Sequence, residues 1–138
     1  MSTISQMQQQ AIRKYLAGRH IPAGLGTVEE ACSIAAINLA LSGELTDRIP
    51  ECMSEVIGRW IIVIQDSMPD QMRNAPEWRE RLPLAAGTGR EHERERLDVI
   101  LDWLWGTVLP HLQPVADRGG YGVQWRTMTT ERNAASAH

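Results

Sequence analysis

The stretch GLGTVEEACSIAAINLALSG, residues 24–43, decides the fold because most of it is almost free of polar side chains. Between Ala31 and Leu41 only Ser33 and Asn38 are polar. A helix that is apolar on nearly all sides packs against other elements all round its axis, so it belongs at the centre of a domain. A buried amide such as Asn38 then needs hydrogen-bond partners, which are either another segment of the chain or a ligand.

The ends of this central helix are also predicted by the sequence. Thr27 and Glu30 have the spacing of a capping box, in which each side chain accepts a hydrogen bond from the other residue's backbone amide. Gly43 suits the left-handed residue that ends a helix. We therefore expect the helix to begin at Thr27 and to end at Gly43.

Outward from this helix, the rest of the chain also has helical patterning. Apolar residues recur every three or four positions in residues 4–16, 56–64 and 97–108, which lie in helices expected over 3–18, 51–67 and 88–108. Prolines at 69, 76 and 83 limit the helices between them to short pieces. The sequence predicts an all-α fold, a single compact helical bundle of five to seven helices. We expect a helical domain over residues 1–118, followed by an irregular Gly-rich loop and C-terminal tail over 119–138, packed on that domain or extending from it.

Composition narrows the classes of partner. The 14 basic and 17 acidic residues lack the basic excess of an autonomous nucleic-acid binder, so a nucleic-acid partner is not expected. The N-terminal residues are polar and no apolar run is long enough to cross a membrane. With only two cysteines, both in apolar segments, we expect a reduced cytoplasmic protein. We expect no membrane partner and no cofactor.

Four segments together resemble a known kind of domain: ACSIAAINLALSGELTD (31–47), VIGRWIIVIQDSMPD (56–70), LPLAAGTGR (82–90) and ILDWLWGTVLP (100–110). They are similar to an N-terminal domain of uncharacterised bacterial and phage-associated proteins. Some of those proteins continue into Ala-rich repeats, and ERNAASAH (131–138) is similar to the start of such a tract. The resemblance implies no known activity.

Two glycine turns form one candidate ligand site. GLGT (24–27) and GTGR (87–90) each precede an expected helix, where free amides and a positive helix end suit an anion. If the turns converge, Gly26, Thr27 and Gly89 would supply amides and Arg90 would bind a phosphate bidentately. The simpler interpretation is that Thr27 and Thr88 only cap their helices, since an acid follows each at the third position.

Two further clusters are candidates for function. His92 and Glu95 are three residues apart, a spacing that could hold a metal ion or move a proton, although a solvated face with ion pairs is the simpler interpretation. The tryptophans Trp78, Trp103, Trp105 and Trp125 form a candidate interaction face, because Trp is enriched where interfaces concentrate binding energy. Trp103 lies off the apolar stripe of its own helix, which favours a role outside the core.

No pattern of catalytic residues occurs in the chain, and we predict no catalytic residue. The leading hypothesis is a non-enzymatic protein-interaction module, an adaptor or inhibitor in a bacterial or phage context, that binds a protein partner or a second copy of itself. The first alternative is a small helical domain that binds a phosphorylated or nucleotide ligand at its helix N-termini. The second is a metal-assisted hydrolase.

Overall fold

The computed structural model describes residues 4–133 and residue 135, and within this part the chain is helical and contains no strand. The helices are α1 (Gln6–Leu16), α2 (Ser33–Ser42), α3 (Glu55–Ser67), α4 (Asp70–Arg73), α5 (Pro76–Arg79), α6 (Leu82–Ala86), α7 (Glu93–Trp103), α8 (Leu109–His111), α9 (Gln113–Arg118) and α10 (Gly122–Glu131), with a π-helical segment (Leu104–Val108) between α7 and α8.

The all-α class is confirmed, but the described chain has more helical segments than the five to seven predicted. Prolines account for much of the excess. Pro76 and Pro83 lie in the first turns of α5 and α6, and prolines also lie in the first turns of α8 and α9. The first turn of a helix tolerates proline because its backbone nitrogens have no partner inside the helix. Each proline therefore starts a new short helix.

The chain divides into two compact units, Met1–Glu93 and Arg94–His138, whereas the sequence analysis expected a single bundle. The predicted domain boundary after Arg118 lies inside the second unit. Residues 122–131, expected to be part of an irregular tail, form α10, which packs on α9. Gly120 makes the reversal between these two helices with a φ of +82°, a conformation that glycine adopts without steric cost.

The first unit is built around α2. Helix α2 packs against α1, α3 and α6, and the four residues from Ile34 to Ile37 are fully buried. Gly43 ends the helix in the left-handed conformation, as predicted, with a φ of +78°. The two free cysteines both belong to this unit, Cys32 buried and Cys52 partly buried.

The predicted start of α2 at Thr27 is wrong, because the helix begins at Ser33 with Cys32 as its N-cap. Residues 25–32 instead form a tight reversal in which the Thr27 amide donates to the Glu30 carbonyl at 2.9 Å. Gly26 is required there, since a Cβ at this position would lie 2.1 Å from that carbonyl oxygen. The Glu30 amide still donates to the Thr27 hydroxyl at 3.2 Å, so half of the predicted capping box exists, in a turn and not in a helix.

The second unit contains α8, α9, α10 and α7 from Arg94 onward. The Trp125 indole donates to the Leu109 carbonyl at 2.6 Å and fixes α10 against α8. Arg132, just after α10, pairs with Asp102 of α7 at 2.7 Å. Among the described residues of this unit, Ala116 and Met128 are the buried hydrophobic side chains. Within the described part of the chain, no helix has both the length and the apolar character needed to cross a membrane.

Candidate functional site

A cleft of about 470 Å³ in the first unit is the main candidate site. Its walls come from the loop that leads into α3, from α3 itself and from Arg90 of the GTGR turn. Its lining residues are Asp47, Arg48, Ile49, Glu51, Glu55, Arg59, Ile62 and Arg90. Three guanidinium groups and three carboxylates meet here, so the lining is strongly charged but formally neutral. We call it the arginine cleft.

The loop of the arginine cleft, residues 44–54, is held by a buried amide. The Asn38 side chain of α2 donates to the carbonyls of Thr46 and Arg48, each at 2.8 Å. Gly58 of α3 provides the second contact, because a Cβ there would lie 2.6 Å from Ile49 Cγ2. Asn38 and Gly58 therefore fix the backbone and one apolar side chain of this loop. The sequence showed that Asn38 needed partners, and the structure shows that they are backbone groups of the cleft.

Glu55 and two arginines form the charged centre of the cleft. Glu55 Oε1 accepts hydrogen bonds from Arg59 Nη2 at 2.7 Å and Nε at 3.2 Å, while Oε2 lies 3.8 Å from Arg90 Nη1. Arg90 also donates to the carbonyls of Met53 at 3.3 Å and Ile49 at 3.2 Å. Backbone acceptors on two sides thus hold the Arg90 guanidinium in one orientation at the cleft wall.

The structure does not bring together the two glycine turns of the predicted anion site. The GLGT turn lies at the end of α3, where the Gly24 amide donates to Asp66 at 2.9 Å. The GTGR turn lies at the start of α3, where the Gly89 amide donates to the Cys52 carbonyl at 2.8 Å. Because α3 spans 13 residues, about 20 Å at 1.5 Å per residue, Gly26 and Thr27 are far from Gly89 and Arg90.

The GTGR turn also does not start a helix in the predicted way, since α7 begins at Glu93. Thr88 accepts a hydrogen bond from the Ser54 amide at 2.9 Å. The Glu93 carboxylate accepts from the Ser54 hydroxyl and from the Val56 amide, the latter at 3.1 Å. A carboxylate of the chain itself therefore occupies the N-terminus of α3, where an anionic ligand would otherwise find free amides. The sequence carried no signal for this contact.

The proposed metal pair is not part of a metal cluster in the described residues. His92 lies in the turn before α7, and Glu95 lies in α7. The part of the chain that the structure describes contains no group of three or more His, Cys, Asp or Glu side chains able to hold a metal ion. Among those residues the pair has no further ligand of the kind that a zinc site requires.

A second polar cluster, which the sequence analysis missed, joins residues 50 positions apart. His20 Nε2 lies 2.6 Å from Asp70 Oδ1, and His20 Nδ1 lies 3.5 Å from Glu30 Oε2. The hydrogen bond from His20, followed by weaker contributions that include Arg73, lowers the pKa of Asp70 below its ordinary value. His20 thereby connects the 25–32 reversal to α4, and we assign the cluster a structural role.

The four candidate tryptophans differ in their surroundings and in their exposure. Trp78 packs against the core of the first unit, and its indole donates to the Ser33 hydroxyl at 2.9 Å. Its role is therefore in core packing and not in an exposed interaction face. Trp125 is partly buried and bonded to Leu109, and Trp105 is partly buried in the π-helical segment. Trp103 is the exception, because half of its surface is exposed.

Val99 lies one turn before Trp103 on α7 and is 70% exposed. Residues four apart on a helix lie side by side, so Val99 and Trp103 form a continuous apolar surface, which we call the α7 face.

Comparison of the chain with protein-family models, with curated proteins and with solved structures found no match in any of the three.

Proposed function

We propose that this chain is a non-enzymatic protein-interaction module that binds its partner through the α7 face. The observation that supports the proposal is the exposure of a valine and a tryptophan, 70% and 50%, on adjacent turns of one helix. Tryptophan is the side chain most enriched among residues that dominate binding energy. Burial of the exposed parts of both side chains would contribute on the order of 1–3 kcal/mol each.

The small core of the second unit also supports an interaction role. Beyond Ala116 and Met128, its described hydrophobic residues are partly or largely exposed, including Leu112, Val115 and Val123. A unit that buries little apolar surface gains stability from a partner that covers more of it. The partner in this proposal is a protein or a second copy of the chain.

The wider setting of the proposal follows from the sequence. The resemblance to bacterial and phage-associated proteins favours an adaptor or inhibitor from that source, and two free cysteines fit a reducing cytoplasm. The phosphorylated-ligand alternative loses its main support because the two glycine turns lie at opposite ends of α3. The hydrolase alternative has only His92 and Glu95 in its favour.

The test compares Val99→Asp with Val63→Asp, which places the same charge at an exposed valine of α3 in the other unit. Sedimentation of the purified proteins over a range of concentrations measures self-association, and capture from bacterial lysate followed by mass spectrometry measures binding to other proteins. We expect wild type and Val63→Asp to show the same association, and we expect Val99→Asp to lose it. A wild-type protein that stays monomeric and captures no stoichiometric partner, or an association unaffected by Val99→Asp, would contradict the proposal.

A further inference from the structure

We infer that the arginine cleft binds a small zwitterionic ligand of the amino-acid or short-peptide class, with its carboxylate on the arginines and its ammonium group on the acidic residues. This site is separate from the α7 face and does not depend on the interaction function. The inference rests on the composition of the cleft, on the way Arg90 is held, and on the charged groups there that have no partner among the described residues.

The carboxylate side of the site is provided by Arg90 and Arg48. A guanidinium has five N–H groups. Arg90 directs one each from Nε and Nη2 to backbone carbonyls, while Nη1 lies near Glu55, which leaves further N–H groups for a ligand. In residues 4–133 the Arg48 side chain has no hydrogen-bond or ion-pair partner. Both guanidinium groups can receive a carboxylate without breaking contacts within the described residues, and the fixed orientation of Arg90 lowers the ordering cost of binding.

The ammonium side of the site is provided by Asp47 and Glu51. Both line the cleft and are exposed, and neither makes a side-chain hydrogen bond or ion pair within the described residues. Glu55 differs from them because its two oxygens already face Arg59 and Arg90. The cleft therefore offers acceptors for a cationic group close to donors for an anionic one.

The charge balance argues against simpler ligands. A phosphate dianion would gain from the three arginines but would meet three carboxylates in the same small cleft, and like charges at short range oppose binding. A bare metal ion would need a cluster of ligands that the described residues do not contain. A ligand with one charge of each sign matches both halves of the lining.

The size of the cleft limits the ligand further. A volume of about 470 Å³ lies within the range of about 300–1,000 Å³ that is typical of small-molecule pockets. It accommodates a free amino acid or a peptide of a few residues. The side chains of Ile49 and Ile62 supply the apolar part of the wall, against which a small aliphatic side chain can pack.

The experiment is an NMR titration of the ¹⁵N-labelled 138-residue chain with matched probes: trialanine, N-acetyl-trialanine, trialanine amide, free alanine and inorganic phosphate. The acetylated peptide has only the carboxylate, and the amide has only the ammonium group. We expect saturable shifts at residues 47–59 and 90 with trialanine or alanine, and at least tenfold weaker binding of both single-charge peptides. The comparison of alanine with trialanine distinguishes a free amino acid from a peptide.

Variants locate the site and provide the control. Arg48→Gln removes an exposed guanidinium with no described partner, so the fold should persist while binding weakens about tenfold, the loss expected for one charged hydrogen bond. Asp47→Asn should also weaken binding, whereas Arg13→Gln on the exposed surface of α1 and Val99→Asp should not. The inference is overturned if no zwitterionic probe binds, if the single-charge peptides bind as well as trialanine, if phosphate alone binds, or if Arg48→Gln binds like wild type.

Discussion

Arg73 is a charged side chain that the structure buries almost completely, with 6% of its surface exposed. Its guanidinium donates to the carbonyls of Ile21 at 2.9 Å, Gln65 at 2.9 Å and Met68 at 2.8 Å, and to the Asp70 carboxylate at 3.0 Å. A buried charge is tolerated only when its hydrogen-bonding capacity is used in this way. Arg73 therefore ties the loop before the 25–32 reversal to the end of α3.

We predict that Arg73→Met lowers the free energy of unfolding by about 3 kcal/mol, because the carbonyls of Gln65 and Met68 lose a donor at a site that water reaches poorly. Urea denaturation followed by circular dichroism measures the change. Arg13→Met, the same substitution on the exposed surface of α1, should change stability by less than about 0.5 kcal/mol. Equal effects of the two substitutions would show that the buried hydrogen bonds do not matter.

The lowered pKa of Asp70 makes part of the stability depend on pH. Its pKa is below the ordinary 3.8 in the folded protein, so the unfolded chain binds a proton more readily. The stabilisation is therefore complete above this ordinary value and is lost as the pH falls through the lower folded value. We predict that Asp70→Asn has a melting temperature that falls less steeply than that of wild type below about pH 4. Glu80→Gln, at an exposed carboxylate without a described partner, should follow the wild-type curve.

Helix α2 is the element on which the first unit depends most. Its residues Ile34 to Ile37 are fully buried, and it contacts α1, α3 and α6. Both ends of the helix are capped. Cys32 accepts a hydrogen bond from the Ala35 amide at 3.4 Å at the N-terminus, and Gly43 caps the C-terminus. Its interior leaves little room for relaxation, because closely packed side chains surround it on several sides.

We predict that Ile37→Ala lowers the free energy of unfolding by about 2–5 kcal/mol, since it removes a buried side chain and leaves a cavity. Val63→Ala, on the exposed side of α3, is the matched control and should change stability by less than about 0.5 kcal/mol. Thermal denaturation of both variants measures the difference. An unchanged melting temperature for Ile37→Ala would mean that α2 is not the centre of the unit.

At the scale of the whole molecule, apolar burial is divided unequally. Every member of the main hydrophobic core lies between Ile12 and Ala86, inside the first unit. The described part of the second unit buries only Ala116 and Met128 among its hydrophobic side chains. Small domains are marginal because they bury too small a fraction of their surface, so the two units should differ in their ability to fold alone.

We predict that a fragment of residues 1–93 unfolds cooperatively on heating, because it contains the main hydrophobic core and also Glu93, which caps α3. A fragment of residues 94–138 should show no cooperative transition by itself. Circular dichroism melting curves of the two fragments and of the full chain provide the measurement. A sharp transition in the 94–138 fragment would show that its stability does not come from the kind of core seen in the first unit.

The sequence by itself determined the helical class, the central position of α2 and its end at Gly43. These features depend on residues close together in the chain: an apolar run, the spacing of three and four, and a glycine after the last turn. The same local reasoning was wrong at Thr27, which lies in a turn whose shape depends on Gly26 and not in a helix. It was incomplete at Thr88, which lies in a turn and accepts a hydrogen bond from the Ser54 amide.

Only the tertiary structure decided the polar contacts. Asn38 holds the 44–54 loop, Glu93 caps α3, His20 meets Asp70, and Arg90 joins the cleft instead of the GLGT turn. Glu93, His20 and Arg90 each meet residues more than 30 positions away, and none of these contacts follows from periodicity or spacing. Each buried polar group must find a partner, but which partner it finds depends on how the packed helices bring distant loops together.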